Sequence, residues 1–437
     1  VPIKRRQAPF RRLAGSRYLM LAAVATMCAR HGGAEEEWPQ FRGPHAQGHA
    51  SGTHLPITWS ESENIAWKVA VDGRGWSSPV IRSNQIWMTA ATDEGRSLRA
   101  VCRDTDTGRL KHNVEIFRLE DPGSIHSKNS HASPTPVLQD DRVYVHFGAH
   151  GTACLSSSGQ ILWRTEPWPY NHRHGPAGSP VLQDDLLIFS CDGTDVQFVV
   201  ALDKRTGQVC WKTDREGPMA YSTPLVIRAA GVLQLVSPGG DQIVSYDPLT
   251  GDVIWRFRYT GYSVVPRPVF GHGLIYFSSG FNDAVLYAIR AGGRGDVTDT
   301  HLAWERSRGA PHTPSPLLVG GELYIVSDNG VATCLDAVHG SEHWRKRIGG
   351  NFSSSPVLAD GHIYLLNEEG VMTVITPGTE YQELAKNRLE GRTLASPAVV
   401  GRAMFLRSET HLYRIQRDPA AASHGSRPIP SLVNARR

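Results

Sequence analysis

Strand-length apolar runs bounded by turn residues recur along most of the chain, four to a unit. In the clearest unit, 179–211, Val181 and Leu182 follow Ser179 and Pro180, and Leu187, Ile188 and Phe189 follow an acidic turn at Asp184 and Asp185. The runs 199–203 and 209–211 complete it, separated by Thr206 and Gly207. Each run has the length and boundary chemistry of a β-strand, so each unit predicts four strands. A Ser, Thr or Arg followed by Pro opens every unit, at Pro79, Pro136, Pro180, Pro224, Pro268, Pro316, Pro356 and Pro397. The separations are 57, 44, 44, 44, 48, 40 and 41 residues, the period of a propeller blade. The pattern predicts an all-β, eight-bladed β-propeller of four-stranded antiparallel blades over 64–416, with seven blades if one drifted unit is misread.

Proline cannot donate to a sheet ladder and is confined to strand starts and edges. The first strand of each unit is therefore read as the innermost, facing the central channel. The final unit, 396–415, holds only three strands, and the run 65–71 supplies the fourth. An N-terminal strand in the C-terminal blade closes the ring and removes exposed sheet edges.

The third and fourth runs share a stricter spacing: Asp203, Gly207 and Trp211; Asp247, Gly251 and Trp255; Asp336, Gly340 and Trp344. The Asp can accept from backbone donors of the turn it opens, and the Gly supplies the positive φ of a tight hairpin. Trp163 and Trp304 hold the same place in drifted copies, and His112 stands where a Trp is expected.

This Ala-Leu-Asp-x-x-Thr-Gly-x-x-x-Trp pattern resembles the tryptophan-docking repeat of propellers similar to pyrroloquinoline quinone (PQQ) enzymes. Residues 38–44 followed by 75–79 resemble the opening of secreted bacterial PQQ-binding-like β-propeller repeat proteins, and the resemblance spans 38–416. It implies a Trp packed between neighbouring blades. One branch of that superfamily, the quinoprotein dehydrogenases, carries an adjacent Cys-Cys pair in its alcohol-oxidising members. No two cysteines are adjacent here, and no motif matches the Glu, Asn and Asp that surround PQQ and its calcium ion, so PQQ is not expected. Another branch includes the propeller lipoprotein of outer-membrane β-barrel assembly, which binds protein partners without a cofactor. Cys28, preceded by Thr26 and Met27, does not complete a lipidation signal.

Residues 1–34 read as a secretory signal peptide, with basic residues, an apolar stretch over 19–29 and small residues at 32–34; a basic arm is the alternative. Its removal takes seven basic residues and no acidic one, changing the formal charge from +4 to −3. Basic charge therefore gives no reason to expect nucleic-acid binding. The apolar stretch is too short to span a bilayer, and no transmembrane segment is expected in the mature chain. Residues 35–63 read as an arm packing on the propeller through Trp38, Phe41 and Trp59, and 417–437 as a disordered tail. The insertion 291–299 is glycine-rich but lacks the Gly-Lys-Ser/Thr of a phosphate loop. Cys102, Cys154 and Cys334 share the register of Ala201, a small buried position, and a disulfide between Cys191 and Cys210 is one reading of the remaining pair.

If the first strand is inner and the Trp strand outer, the loops leading into each blade and those between second and third strands share one face. That face collects His126, His131, His146, His150, His172 and His174, with Asp192, Asp328 and Glu368, and the cations Arg267 and Arg407. Imidazoles and carboxylates converging on a funnel suit a divalent metal or a polar ligand. Solvated loop residues and turn formers are the bland alternative, above all for the acidic positions. Trp76, Trp168, Tyr170, Phe281 and Phe352 lie in or beside the same loops, where aromatics stack on sugars, anchor peptides or plug a channel. Two functions stay open. One is an exported, monomeric binding or assembly scaffold of the periplasm or cell envelope, with a protein or carbohydrate partner and no quinone. The other is a small quinoprotein or metal-dependent enzyme acting on a sugar or alcohol.

Overall fold

The computed structural model describes residues 37–417, so the signal peptide read at 1–34 and, beyond Arg417, the tail read at 417–437 lie outside the described residues. The described residues form eight sheets arranged as blades, over 80–118, 137–164, 181–214, 225–258, 269–306, 317–347, 357–388 and 398–416. Each antiparallel blade begins with a short strand just after its Pro, such as Val80–Arg82 or Val181–Gln183, and runs outward in chain order. The last blade takes Ile65–Ala70 as its outermost strand, paired antiparallel with His411–Gln416. The eight-bladed reading and the ring closure both hold.

The Asp-Gly-Trp spacing has a physical origin that crosses blade boundaries. The indole N–H of Trp163 donates to Lys204 O at 3.1 Å, that of Trp211 to Pro248 O at 3.1 Å, and those of Trp304 and Trp344 to Ala337 O and Gly378 O at 3.0 Å. Each of these acceptors lies in the turn of the following blade. Asp203 holds its turn by accepting from the amides of Arg205 and Thr206, both at 2.9 Å. Gly207, Gly251 and Gly340 have φ of +75°, +78° and +73°, and a Cβ there would lie 2.7, 2.5 and 2.6 Å from the indole of the preceding blade. The glycine therefore serves the close approach as well as the turn. His112 stacks on Trp87 with ring centroids 5.8 Å apart and covers Gly159 in the same way.

A register shift immediately before the Trp position recurs in all eight blades among the described residues. Such a bulge increases local twist and turns the next side chain, here the Trp, toward its neighbour. Cys210 is the bulged residue of its blade, which is why it is exposed. The register excludes the Cys191–Cys210 bridge that the sequence left open. Cys191 pairs with Phe198, and Phe198 with Asp214, four residues beyond Cys210 and across an intervening strand. That separation exceeds disulfide reach, and both are free thiols. Cys102, Cys154 and Cys334 sit opposite His112, Trp163 and Trp344 and are fully buried, as a small position demands.

The insertion 291–299 pairs Gly295–Asp296 in parallel with Val253–Arg258 and so covers the outer edge of the fourth blade. It replaces the turn that would receive Trp255, whose indole donates instead to Gln234 Oε1 at 2.8 Å in its own blade.

Residues 37–50 cross one end of the propeller axis. Trp38 exchanges backbone hydrogen bonds with Ile81, Pro39 O accepts from Leu138, and Gly48 O accepts from Leu358. Trp38, Leu55 and Trp59 join a core shared with the seventh and eighth blades.

Candidate functional site

The residue before each blade proline forms a ring around the axis. The amide of Ser78 donates to Thr135 Oγ1, Thr135 to Ser179 Oγ, and Ser179 to Thr223 Oγ1, at 2.9–3.0 Å. On the other side Arg267 donates to Ser315, Ser315 to Ser355, Ser355 to Ser396 and Ser396 to Ser78, at 2.9–3.1 Å. Each of these amides precedes the first strand of its blade and lies outside its ladder, and the next blade's hydroxyl satisfies it. The circle is interrupted once, at Arg267, which carries a guanidinium in place of a hydroxyl and donates from it to Pro224 O.

Above this ring opens a funnel of about 550 Å³ whose walls come from every blade. Its second tier is set two residues before the ring, on the same side of an extended chain: Trp76, Ser133, Ala177, Tyr221, Val265, Thr313, Ser353 and Leu394. Loop residues complete the rim. Phe281 is 50% exposed and packs edge-on against Tyr262 and His312, with centroids 6.0 and 5.6 Å away. Phe41, from the arm, lines the funnel from below.

Of the predicted site residues, His126, His174 and Asp328 line this funnel. The two imidazoles meet edge to face at 5.5 Å, and Asp328 accepts the His312 amide at 2.7 Å. The other candidates have structural partners. His131 is buried against the turn at Gly95 and hydrogen-bonds Gly123 O at 3.1 Å. His146 is buried on Phe189, its Nδ1 2.8 Å from Thr152 Oγ1, and burial lowers its pKa to about 3. His150 and His172 pack against each other at 5.3 Å, and burial lowers both to about 4. Asp192 is held by a buried Arg215 guanidinium through both carboxylate oxygens. Glu368 is buried among Lys128, Ser353 and Arg392, at 2.8, 2.7 and 3.3 Å. Lys128 belongs to the loop 119–136, so this cluster ties that loop across the rim to the seventh blade.

Arg267 and Arg407 lie below the rim and not on it. Arg267 donates to Phe41 O and Pro224 O at 2.7 and 2.8 Å, and Arg407 to Ser77 O, Ser77 Oγ and Thr89 O at 2.8–3.2 Å. Arg42, from the arm, donates to Pro316 O at 2.7 Å. None of the three makes an ion pair among the described residues, and burial lowers each to about 9. Trp168 and Tyr170 pack into the third blade and Phe352 is buried, so of the loop aromatics named from sequence Trp76 and Phe281 reach the funnel. Tyr221, Tyr262, His312 and the ring hydroxyls were missed. The overlooked signal is positional: the third residue before each blade proline builds the wall.

The donor set does not suit the quinone and calcium of a dehydrogenase. Calcium takes several carboxylate and carbonyl oxygens. The funnel wall carries one carboxylate, Asp328, and the thiols lie within the blades. Among the described residues no three His, Cys, Asp or Glu side chains gather as a metal-binding group.

No curated protein matches the chain. Solved structures share the fold: BamB from Moraxella catarrhalis aligns with a TM-score of 0.59 at 14% identity, covering 83% of this chain and 99% of that one. A europium-containing methanol dehydrogenase aligns at 0.65 and 11% identity, covering 86% and 90%. The quinohemoprotein alcohol dehydrogenase of Comamonas testosteroni aligns at 0.64 and 11%, covering 93% and 84%. At such identities these likenesses establish architecture alone. Segments 50–191, 195–318 and 283–418, however, match the profile of a family described as outer membrane protein assembly factor BamB, and it is to this family of PQQ-like β-propellers that the chain belongs.

Proposed function

We propose that this protein is an exported binding scaffold of the cell envelope that engages a protein partner at the rim of the axial funnel and carries no quinone. The observation that carries this reading is the rim itself. Phe281 stands half exposed beside Tyr262 and His312 at the mouth of the funnel. Exposed aromatics at the mouth of a rigid concavity are the side chains that anchor protein interfaces. Membership of an assembly-factor family supports the same reading and an envelope location. Among the described residues no helix is long and apolar enough to cross a membrane.

The enzyme alternative, a quinoprotein or metal-dependent enzyme, rests on the histidines, which pair as 126 with 174 and 150 with 172. The scaffold reading is tested in cells lacking the protein. Outer-membrane β-barrel proteins should fall in abundance and recover with the unaltered chain but not with Phe281→Ala and Tyr262→Ala combined. Unchanged abundance, or full rescue by the double variant, refutes it, and a quinone absorbance band in the purified protein refutes the cofactor-free part.

A further inference from the structure

The ring hydroxyls are half used. Ser78, Thr135, Ser179, Thr223, Ser315, Ser355 and Ser396 each accept one backbone N–H, and none donates its own proton to a protein atom among the described residues. All seven line the funnel. A hydroxyl whose oxygen accepts an N–H is a stronger donor for it. The floor of the funnel is therefore a circle of O–H donors with no protein acceptor.

Directly behind this circle lie three buried cations. Arg267 occupies the eighth ring position, Arg407 bonds to Ser77 beside Ser78, and Arg42 bonds to the carbonyl of Pro316 beside Ser315. No carboxylate pairs with any of them among the described residues. Arg42 Nε and Nη1, Arg267 Nε and Arg407 Nε have no hydrogen-bond partner among the described residues. Buried charge without a counter-ion is costly, and a low-dielectric surround strengthens its field at short range. The one acidic side chain on the wall, Asp328, is engaged by the amide of His312.

We propose that the axial funnel is an anion site, in which the ring hydroxyls and the field of Arg42, Arg267 and Arg407 hold an oxyanion, a carboxylate or phosphate group. This deepens the reading of the funnel as a binding site and adds the chemistry of what enters it: an acidic group stands on the axis while the aromatic rim covers the rest of the ligand.

The test is calorimetric titration of the whole purified protein at low ionic strength with succinate, inorganic phosphate and, as a neutral comparator, glucose. Saturable binding of succinate or phosphate, weakening with added salt and absent for glucose, is expected, and the tighter of the two identifies the group. Ser179→Ala removes one donor and should weaken binding roughly tenfold. Since it also removes a ring hydrogen bond, a second variant, Arg267→Ser, restores the repeat's own hydroxyl and deletes a buried cation. It should fold and bind the anion several-fold more weakly. No saturable response to either anion at millimolar concentration, an equal response to glucose, or unchanged affinity in Arg267→Ser overturns the proposal. Because no protein partner enters the titration, that failure is separable from failure of the scaffold reading.

Discussion

The backbone amide of Ser396 donates to the hydroxyl of Ser78 at 3.1 Å, and with this bond the eighth blade is joined to the first. Both residues are buried, and loss of the hydroxyl leaves the Ser396 amide without its protein acceptor. Ser78→Ala should cost about 1–3 kcal/mol of stability, the penalty of a buried unsatisfied donor, whereas Ser78→Thr should cost little. Urea unfolding of the two variants measures the difference. Equal midpoints would show that the ring does not hold the blades together.

Glycines 231 and 251 separate turn strain from interblade contact. Both have φ near +79°, but a Cβ on Gly251 meets the Trp211 indole at 2.5 Å while one on Gly231 meets nothing within 4 Å. Gly231→Ala should cost about 1–2 kcal/mol for the left-handed backbone alone. Gly251→Ala should add about 1–3 kcal/mol of overpacking to that. Denaturant midpoints of the two variants provide the comparison.

Acid should destabilise the fold through its buried imidazoles. His146 is lowered by burial to about 3 and His150 and His172 to about 4, against about 6.5 for histidine in an unfolded chain. Between those values the unfolded chain takes up protons that the folded chain refuses, so stability is full above about pH 6.5 and declines as pH falls toward 4. Thermal midpoints across this window should drop more steeply in the unaltered protein than in His150→Gln combined with His172→Gln. Superimposable profiles would exclude these residues as the cause.

Thiol labelling should follow the blade register. Burial pushes Cys102 and Cys334 up to about 12 and Cys154 up to about 11, and Cys191 lies wholly inside its blade. Cys210, on its bulge, is exposed. Peptide mapping after iodoacetamide treatment should find Cys210 modified in the native protein and the other four only in denaturant. Early labelling of Cys154 or Cys334 would contradict the packing beneath Trp163 and Trp344.

The repeat was legible because its causes are local. Strand runs, the Asp turn, the left-handed Gly and the strand-heading Pro each act within a few residues, and their recurrence every 40 to 57 positions determined blade count, strand order and ring closure from the chain alone. The Trp position was legible too, although the reason for its fixed distance from Gly is the indole of the preceding blade.

The site depended on relationships that span the ring. Sequence spacing singled out His131, His146, His150, Asp192 and Glu368, but whether a side chain faces the axis or a neighbour depends on packing among elements far apart in the chain. Lys128 reaches Glu368 across 240 residues, and Arg42 reaches Pro316 across 274. Such contacts leave no periodic trace. The chain by itself determined the scaffold, since backbone conformation follows from near neighbours. Only the tertiary structure decided which polar groups are satisfied and which stand open on the axis, because the partner of a buried donor is set by how eight blades close on one another.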